Sequence, residues 1–401
     1  MKALMCLNSQ LSPEFLEQLK LTSGELPKSQ YNELSDNLKN QSLEYGAKFA
    51  NVCYSEKEFL EIYNESKEET LKRQNRTLGS GHHSVYEPSY FTFELTDIPK
   101  SLVMILNNQA VYVTSEKSAR YTQMSDISPK EKILYDKWMD IFIPQITKKY
   151  GNILKEDRIK KLSQENARYM TSVHTPTKLI HTMSFRQLNY LMHLFNDFIN
   201  TSKDTDYNNS LRTSMSEFLQ MPNMKDLYVE RLKANVKDME LNWYSNFTNS
   251  EHFDSTYTTN YQMSFASLAQ AQRHRTINYQ VQQFNTLGSY IVPPILSASQ
   301  KKEWVSDLES VADLYPQAAL LSVTERGLPE HFKMKAIERL CGFAQWETMN
   351  NTNITLKKYL ANVQNPEIKN YLETKAVSKC KTGNCASPCE FGPKLALKRV
   401  I

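Results

Sequence analysis

Two segments of this chain share a pattern of apolar residues but end in different polar residues. One begins near Ser264 and ends in Arg273-His274-Arg275, whereas a similar one ends in Asn108-Gln109-Ala110, so positions 273 and 108 place them 165 residues apart. Only the earlier segment continues into Glu116-Lys117-Ser118-Ala119-Arg120-Tyr121. One half therefore carries a cationic cluster, and the other a mixed acidic, hydroxyl and guanidinium cluster. Two diverged copies with complementary losses predict a duplicated chain that forms one composite site.

Short β-rich segments precede long helical patterns in both halves. In the first half, residues 90–95 and 178–183 predict strands, followed by helices at 99–107 and 185–199. The order recurs in the second half, with strands at 256–262 and 318–323 and with helices running into Arg273, at 297–314 and from Leu328 onward. This order predicts an α+β fold of two related halves, each a small antiparallel or mixed sheet with long helices.

Further helices are predicted at residues 12–21, 55–73, 129–150 and 152–169. The helix at 55–73 opens with Ser55-Glu56-Lys57-Glu58, a capping-box pattern. The polar stretch 200–209 favours a linker. We therefore expect a first repeat with a helical N-terminal extension at 1–203, a second repeat at 204–378 and an irregular tail at 379–401.

The composition sets limits on function. With 401 residues, 40% hydrophobic content and a net charge of +4, the chain is typical of a globular protein and argues against a dedicated nucleic-acid binder. The longest apolar runs are too short to cross a bilayer, and the N-terminus lacks a signal-peptide pattern, so we expect no membrane partner and a cytoplasmic location. The spacing of Cys380, Cys385 and Cys389 favours a structural turn over a metal or redox site.

Two clusters have the chemistry of phosphate binding. At a helix end, Arg273-His274-Arg275 can surround a phosphate or pyrophosphate, although the segment taken alone favours a solvated basic surface. Glu116, Ser118 and Arg120 alternate, so in an extended segment they would share one face and suit a phosphate ester. A local ion pair on an exposed strand is the alternative for that segment.

Other candidates have weaker patterns. Adjacent His82 and His83 rarely share one metal ion, and no acidic or cysteine partners cluster nearby, so we predict no metal site. Arg168, Arg186 and Arg339 add guanidinium groups, although helix-surface salt bridges would explain each of them.

Taken together, these segments resemble the flavin-dependent thymidylate synthases. The first half is similar to the family's signature at His82-His83-Ser84-Val85-Tyr86-Glu87, at Glu116 to Tyr121, at Glu165-Asn166-Ala167-Arg168 and at Ser184-Phe185-Arg186. The second half is similar at Thr248 to His252, at Gln270, at Arg273-His274-Arg275, and at Arg339 with Ala344-Gln345-Trp346-Glu347. The matching segments span about residues 45–350 and occur in the family's order.

Each half departs from the signature in its own way. The first half lacks Arg-His-Arg, has Ile105 in place of a glutamine and has Phe195 at the final arginine position. The second half has Val281, Gln283 and Asn285 where the family carries Glu-x-Ser-x-Arg. Because the family's homotetramer shares its sites between subunits, the resemblance implies a homodimer of this chain that imitates the tetramer.

The resemblance also implies an activity and a site. The activity is transfer of a one-carbon unit from methylenetetrahydrofolate to C5 of dUMP, giving dTMP, with FAD as cofactor and NADPH as reductant. The nucleotide would be held by Glu116, Ser118, Arg120, Arg168, Gln270 and Arg339. Arg339 would stabilise charge on the pyrimidine ring. The flavin would be held by Arg273, His274, Arg275, Thr248, Glu251, Ser84 and Glu87, with Arg186 acting across the subunit interface.

Three alternatives stay open. A flavin-dependent deoxynucleotide hydroxymethylase would use the same carbon donor. A nucleotide- or flavin-binding pseudoenzyme would have lost catalysis. A helical interaction protein would carry these motifs by chance.

Overall fold

The structure is a computed structural model that describes residues 1–7, 31–57, 61–62, 64–120, 122, 126–233, 244–245, 250–282, 284, 288–383, 385–386 and 389–401. The chain folds into two compact units, and each is built from two separate stretches. Unit 1 comprises Met1–Lys117 and Pro176–Leu241, and unit 2 comprises Ser118–Thr175 and Asn242–Ile401. The stretch 118–175, which belongs to the first half of the sequence, is therefore part of unit 2.

Unit 1 contains a four-stranded antiparallel sheet in the order β1-β2-β4-β3. Its strands are β1 (Lys2–Leu7), β2 (Tyr90–Pro99), β3 (Val113–Glu116) and β4 (Pro176–Ser184). Its helices are α1 (Tyr31–Asn51), α2 (Lys67–Ser80), α3 (Lys100–Leu106), α6 (Phe185–Thr201), α7 (Asp206–Gln220) and α8 (Pro222–Leu227). β4 runs directly into α6, because the Ser184 hydroxyl accepts a hydrogen bond from the backbone N–H of Gln187 and caps the helix.

Unit 2 contains a five-stranded sheet in the order β5-β8-β9-β7-β6, in which only β5 and β8 pair in parallel. Its strands are β5 (Tyr244–Ser245), β6 (His252–Phe253), β7 (Tyr257–Ser264), β8 (Asn278–Gln282) and β9 (Leu320–Gly327). Its helices are α4 (Pro129–Tyr150), α5 (Glu156–Ala167), α9 (Phe265–Ala271), α10 (Ala298–Glu309), α11 (Pro329–Arg339), α12 (Trp346–Asn362), α13 (Pro366–Lys375) and α14 (Gly392–Leu395).

Aromatic residues from both stretches form the core of unit 2. Trp138 on α4 and Trp304 on α10 are fully buried, and their rings meet edge to face with centroids 4.7 Å apart. Phe142 packs against both rings. Burial of large aromatic side chains is a dominant source of folding free energy, so this cluster fixes α4 against α10.

The two sheets have a common arrangement at their centres. β2-β4-β3 in unit 1 and β7-β9-β8 in unit 2 are both antiparallel, with the latest strand in the middle. In each case a seven-residue helix follows the first strand, namely α3 in unit 1 and α9 in unit 2. The α+β class predicted from the sequence is confirmed. The duplication itself stays a prediction.

Most of the predicted elements are present. The strand and helix predictions at 90–95, 99–107, 129–150, 178–183, 185–199 and 256–262 each coincide with an observed element. The helix predicted at 297–314 ends at Glu309, and Ala312–Leu314 is a short 3-10 helix. The helix predicted at 12–21 lies outside the described residues. β1, β3 and β8 were not predicted, because short strands with little alternation give a weak pattern.

Two boundaries predicted from the sequence are wrong. The helix predicted at 55–73 is not continuous, because residues 64–66 are not helical and α2 begins at Lys67, where Ser66 accepts a hydrogen bond from the Glu69 N–H. Residues 61 and 62 are helical, whereas residues 58–60 lie outside the described residues. The polar stretch 200–209 is no linker between units either, because α7 begins at Asp206 and is capped by the Thr205 side chain. Polar composition there reflects a capped helix start, for which Thr and Asp are common.

The tail after Cys380 is mostly irregular, as predicted, with short helical turns at Lys379–Lys381, Gly392–Leu395 and Ala396–Lys398. No helix within the described part of the chain combines the length and apolar character needed to cross a bilayer.

Candidate functional site

A buried network of charged and amide side chains in unit 2 joins the two stretches of that unit. Glu165, at the end of α5, is buried and accepts a hydrogen bond from Nε of Arg120. Burial alone would raise the pKa of Glu165, but the charges of Arg120, Arg168 and Arg399 outweigh it and lower the pKa. Glu165 is therefore ionised, and it holds the Arg120 guanidinium in place.

Arg120 and Arg168 both reach the loop between α11 and α12. Nη2 of Arg120 donates to the Phe343 carbonyl oxygen at 2.5 Å, and Nη2 of Arg168 donates to Oε1 of Gln345 at 2.6 Å. The backbone N–H of Gln345 in turn donates to Oε1 of Gln270 at 3.1 Å. A continuous hydrogen-bonded path thus runs from Arg168 through Gln345 to Gln270 on α9.

A buried carboxyl group anchors the far side of this path. Glu347, at the start of α12, accepts hydrogen bonds from the Tyr169 hydroxyl at 2.7 Å and from the backbone N–H and hydroxyl of Ser264. Burial raises the pKa of Glu347, although its hydrogen bonds oppose the shift. Since Ser264 caps α9, Glu347 fixes the start of the helix that carries Gln270.

Arg339 and His274 are directly bonded. Nε of Arg339, at the end of α11, donates to Nε2 of His274 at 2.7 Å, and its Nη2 lies 3.4 Å from the Gln270 carbonyl oxygen. Burial and the charges of Arg339 and Lys335 lower the pKa of His274 to about 3. His274 is therefore neutral at ordinary pH. It carries its proton on Nδ1, because Nε2 acts as the acceptor.

The other two residues of the Arg-His-Arg segment lie beyond the end of α9. α9 stops at Ala271, and residues 272–276 turn before β8 begins. Arg273 is half-buried and Arg275 is exposed. The segment therefore follows a helix end, as predicted, with one neutral ring between two cations.

The C-terminal tail supports the α11–α12 loop. Arg399 is buried, and its two Nη groups donate to the carbonyl oxygens of Gly342, at 2.6 Å, and Ala344. The indole N–H of Trp346 donates to the Arg399 carbonyl oxygen at 2.9 Å. These contacts fix the backbone on which Arg120 and Arg168 rest, and no sequence pattern indicated them.

A fully buried ion pair lies under the second sheet. Nζ of Lys335 on α11 is 2.5 Å from Oε2 of Glu325 on β9, and neither side chain is exposed. The hydroxyls of Tyr257 and Tyr261 also donate to Glu325. Lys335 lies one helical turn before Arg339, so the two side chains share one face of α11. That four-residue spacing is the sequence signal that could have indicated Lys335.

Some of the predicted site residues are not part of this network. Glu116 lies in unit 1, where it pairs with Lys100 at 2.7 Å. β3 ends at Glu116 and the chain turns at residues 119–120, so the expectation that Glu116, Ser118 and Arg120 share one face of an extended segment is wrong. A hydrogen bond from the Thr122 N–H to the Ser118 carbonyl oxygen closes that turn.

The remaining candidates are spread over both units. In unit 1, Arg186 forms an ion pair of 3.2 Å with Glu87, and Ser84 is exposed in a 3-10 helix. In unit 2, Glu251 accepts hydrogen bonds from Lys358, Thr259 and the Asn260 N–H. Thr248 lies outside the described residues.

A recess of about 300 Å³ lies elsewhere on unit 2, beside strands β7, β8 and β9. It is lined by polar residues, among them Asn260, Gln262 and Thr324, and by none of the predicted site residues. In the part of the chain that the structure describes, no group of three His, Cys, Asp or Glu side chains is arranged to hold a metal ion.

Fold and site together define a mixed α+β protein with a buried arginine, glutamine and glutamate network. Residues 34–197 match the family model described as thymidylate synthase complementing protein. This match confirms the resemblance seen in the sequence for residues 34–197, which are similar to the flavin-dependent thymidylate synthases. The matched span ends within the first half, so the resemblance of the second half stays a prediction.

Two relatives and one solved structure show the extent of the similarity. Flavin-dependent thymidylate synthase of Pyrococcus furiosus is 26% identical over 140 residues, which are 32% of this chain and 55% of the relative. That of Pyrococcus abyssi is 25% identical over 155 residues, which are 36% of this chain and 62% of the relative. The alignments thus span less than two thirds of each relative. A crystal structure of thymidylate synthase X from Helicobacter pylori with FAD and dUMP is 15% identical, covering 47% of this chain and 94% of that one, with a TM-score of 0.29.

Proposed function

We propose that this protein is an FAD-dependent enzyme that transfers a one-carbon unit from methylenetetrahydrofolate to C5 of dUMP, with NADPH as the reductant. The family of residues 34–197 and the names of the Pyrococcus relatives support this activity. The nucleotide would bind in unit 2, beside Ser118, Arg120, Arg168, Gln270 and Arg339.

One observation carries the proposal. Arg168 belongs to the sequence segment expected to supply the nucleotide phosphate site, and Gln270 belongs to the segment expected to complete it. Within unit 2 the two are linked through Gln345 by hydrogen bonds of 2.6 and 3.1 Å. Residues from both sequence halves thus contribute to one buried network, which is what a composite site requires.

The side chains of the network suit a nucleotide monophosphate. Guanidinium groups make charge-assisted, often bidentate hydrogen bonds to phosphate oxygens. Glu165 holds Arg120 from one side, and the Phe343 carbonyl holds it from another, so the guanidinium is oriented before a ligand arrives. Preorganisation of this kind lowers the entropic cost of binding.

The segment 273–275 has donors that fit the pyrophosphate of FAD. Arg273 and Arg275 supply two cations, and neutral His274 supplies an Nδ1–H donor between them. A reduced flavin would supply the hydride chemistry, so the protein is left to bind, orient and polarise. Ligand-binding roles stay predictions for the remaining candidates, which are Glu251, Thr248, Ser84, Glu87, Arg186 and Glu116.

Arg339 has the position and the charge to polarise the pyrimidine. Its Nε is engaged by His274, which fixes the plane of the guanidinium beside Gln270. A cation held in this way in a partly buried site would stabilise negative charge as it develops on the base. No nucleophile from the protein is needed for such a role.

We further infer that the chain is a diverged tandem repeat that acts as a homodimer. The shared order of β2-β4-β3 and β7-β9-β8 supports the repeat, as does the placement of α3 and α9 after the first strand of each set. A dimer of two-repeat chains would then imitate the family's homotetramer. Sedimentation of the purified protein tests this, because a stable monomer contradicts it.

The activity is tested directly with purified protein. We expect flavin absorbance, and tritium release from C5-labelled dUMP that depends on methylenetetrahydrofolate. The mass of the product separates dTMP from its hydroxymethyl analogue. Arg231→Ala removes an exposed arginine of unit 1 that contacts Asn75, so it controls for loss of positive charge alone. A protein that stays colourless after addition of FAD contradicts the proposal.

A second candidate is a binding protein without catalysis. It is favoured by the engagement of Arg120, whose guanidinium already contacts both Glu165 and Phe343. In that case flavin and dUMP would bind, but no tritium would be released under any combination of co-substrates.

A further inference from the structure

Two cysteines from distant parts of the sequence meet beside the α11–α12 loop. Cys341 follows α11 and is buried, whereas Cys389 lies in the tail and is half-buried. The two thiols are close enough for each to shift the pKa of the other. The sulfur of Cys389 also rests on the neighbouring Gly342, where an added Cβ would lie only 2.4 Å from it.

The surroundings of Cys389 favour its thiolate form. The backbone of Gly342, Phe391 and Gly392 lies close to its sulfur, and the Gly392 N–H donates to the Cys389 carbonyl oxygen at 3.1 Å. The neighbouring Cys341 thiol, followed by these backbone groups, lowers the pKa of Cys389 to about 6, and the Cys389 side chain in turn raises the pKa of Cys341. A half-exposed thiolate beside a second thiol is the arrangement of a reactive cysteine with its resolving partner.

We propose that Cys389 is a peroxide-reactive cysteine and that Cys341 resolves it, so that oxidation joins the tail to the α11–α12 loop by a disulfide. The Cys389 thiolate attacks one oxygen of hydrogen peroxide, the O–O bond breaks, and hydroxide leaves with the electron pair and takes up a proton. The Cys389 sulfenic acid is then attacked by the sulfur of Cys341. An S–S bond forms, the S–O bond breaks, and water leaves.

The disulfide would restrain the loop that contacts Arg120 and Arg168. The joined loop carries the Phe343 carbonyl that accepts from Arg120 and the Gln345 side chain that accepts from Arg168. Arg399 already ties the tail to the same loop through Gly342 and Ala344. The disulfide would add a covalent tie to this contact. The proposal rests on thiol chemistry alone and does not depend on the proposed activity.

Peptide mapping of the full-length protein tests the pairing. After treatment with hydrogen peroxide we expect the intact mass to fall by two hydrogen atoms, and two fewer thiols to take up a blocking reagent added afterwards. A proteolytic peptide should join Cys341 to Cys389, and dithiothreitol should separate it. In Cys341→Ser the reaction should stop at a Cys389 sulfenic acid that dimedone labels. Cys53→Ser removes an exposed thiol of unit 1 and should leave the disulfide yield unchanged.

Gly342→Ala adds a test that keeps both thiols. The new methyl group displaces the Cys389 sulfur, so disulfide yield should fall at least severalfold while the melting temperature reports whether the fold is kept. The rate of iodoacetamide labelling at Cys389 should also level off above about pH 7, because the thiolate is then fully formed. Joining of Cys341 to Cys380 instead, or no disulfide in the folded wild type, overturns the proposal.

Discussion

The two sheets have the same central strand order but differ in the side chain at their centre. At matched register, His181 on β4 lies opposite Thr114, and Glu325 on β9 lies opposite Tyr279. His181 is buried and stacks on Tyr112 with ring centroids 5.2 Å apart. Glu325 is buried as well, but it is paired with Lys335. One backbone pattern thus accommodates an aromatic contact in unit 1 and an ion pair in unit 2.

The helices that follow the first strands, α3 in unit 1 and α9 in unit 2, also differ in the polarity of their side chains. Every residue of α3 is buried, including Ile105, so this helix belongs to the core of unit 1. On α9, Gln270 is half-buried and accepts a hydrogen bond from the Gln345 N–H. Beyond the helices, the buried Gln109 stands in the place of His274. Gln270 and His274 support a site in unit 2, whereas Ile105 and Gln109 are both buried and support packing in unit 1.

The largest effect is expected at the buried pair of unit 2. Lys335→Met leaves the buried Glu325 side chain without its ionic partner, which costs about 3–5 kcal/mol of unfolding free energy. The double variant Lys335→Met with Glu325→Gln should recover most of that loss. His181→Phe, the matched change in unit 1, keeps volume and stacking and should cost less than about 1.5 kcal/mol. Chemical denaturation measures the unfolding free energy of all three variants. Equal losses for Lys335→Met and His181→Phe would contradict the difference between the two sheets.

The next effect concerns ligands. Arg120→Ala should weaken dUMP binding while leaving flavin bound, and Arg275→Ala should do the reverse, each by roughly ten- to hundredfold, because a hydrogen bond to a charged group contributes about 1.5–3 kcal/mol. Calorimetry with each ligand measures this, with Arg231→Ala as the control. Equal loss of affinity for both ligands in both variants would show that Arg120 and Arg275 do not bind separate ligands.

A reciprocal exchange tests the two helices. Ile105→Gln buries an amide in an apolar environment and should lower the unfolding free energy by about 1–3 kcal/mol. Gln270→Ile removes the acceptor of the Gln345 N–H, so we expect it to weaken dUMP binding more than it affects stability. Thermal melts and binding assays on both variants separate the roles. A Gln270→Ile protein that binds dUMP normally would argue that α9 is only core.

The smallest effect is the titration of His274. Because its pKa is lowered to about 3 in the folded protein, the unfolded chain takes up the proton first as pH falls. The unfolding free energy should therefore fall from about pH 6.5, the ordinary histidine pKa, towards the folded value. NMR of the imidazole ring should show a neutral Nδ1–H tautomer at neutral pH. Arg339→Ala should raise the pKa of His274, and an unchanged titration contradicts the contact.

Several residues of the candidate network in unit 2 were predictable from the sequence, but the contacts that surround them were not. Arg120, Arg168, Gln270 and Arg339 were identified from motif order, and all four lie in unit 2. Glu116 was placed with them by sequence spacing, yet the chain turns after β3 and Glu116 pairs with Lys100. Alternation along a chain holds only while the segment stays extended.

The sequence by itself determined most of the longer strands and helices and the residue types able to bind phosphate, because periodicity and charge are local properties. Only the tertiary structure decided that residues 118–175 fold with the second half of the chain. It also decided that Arg399 and Cys389 of the tail contact the loop holding Arg120 and Arg168. Contacts of this kind join residues far apart in the chain. They follow from the packing of whole elements around the tryptophan core of unit 2, which no local pattern encodes.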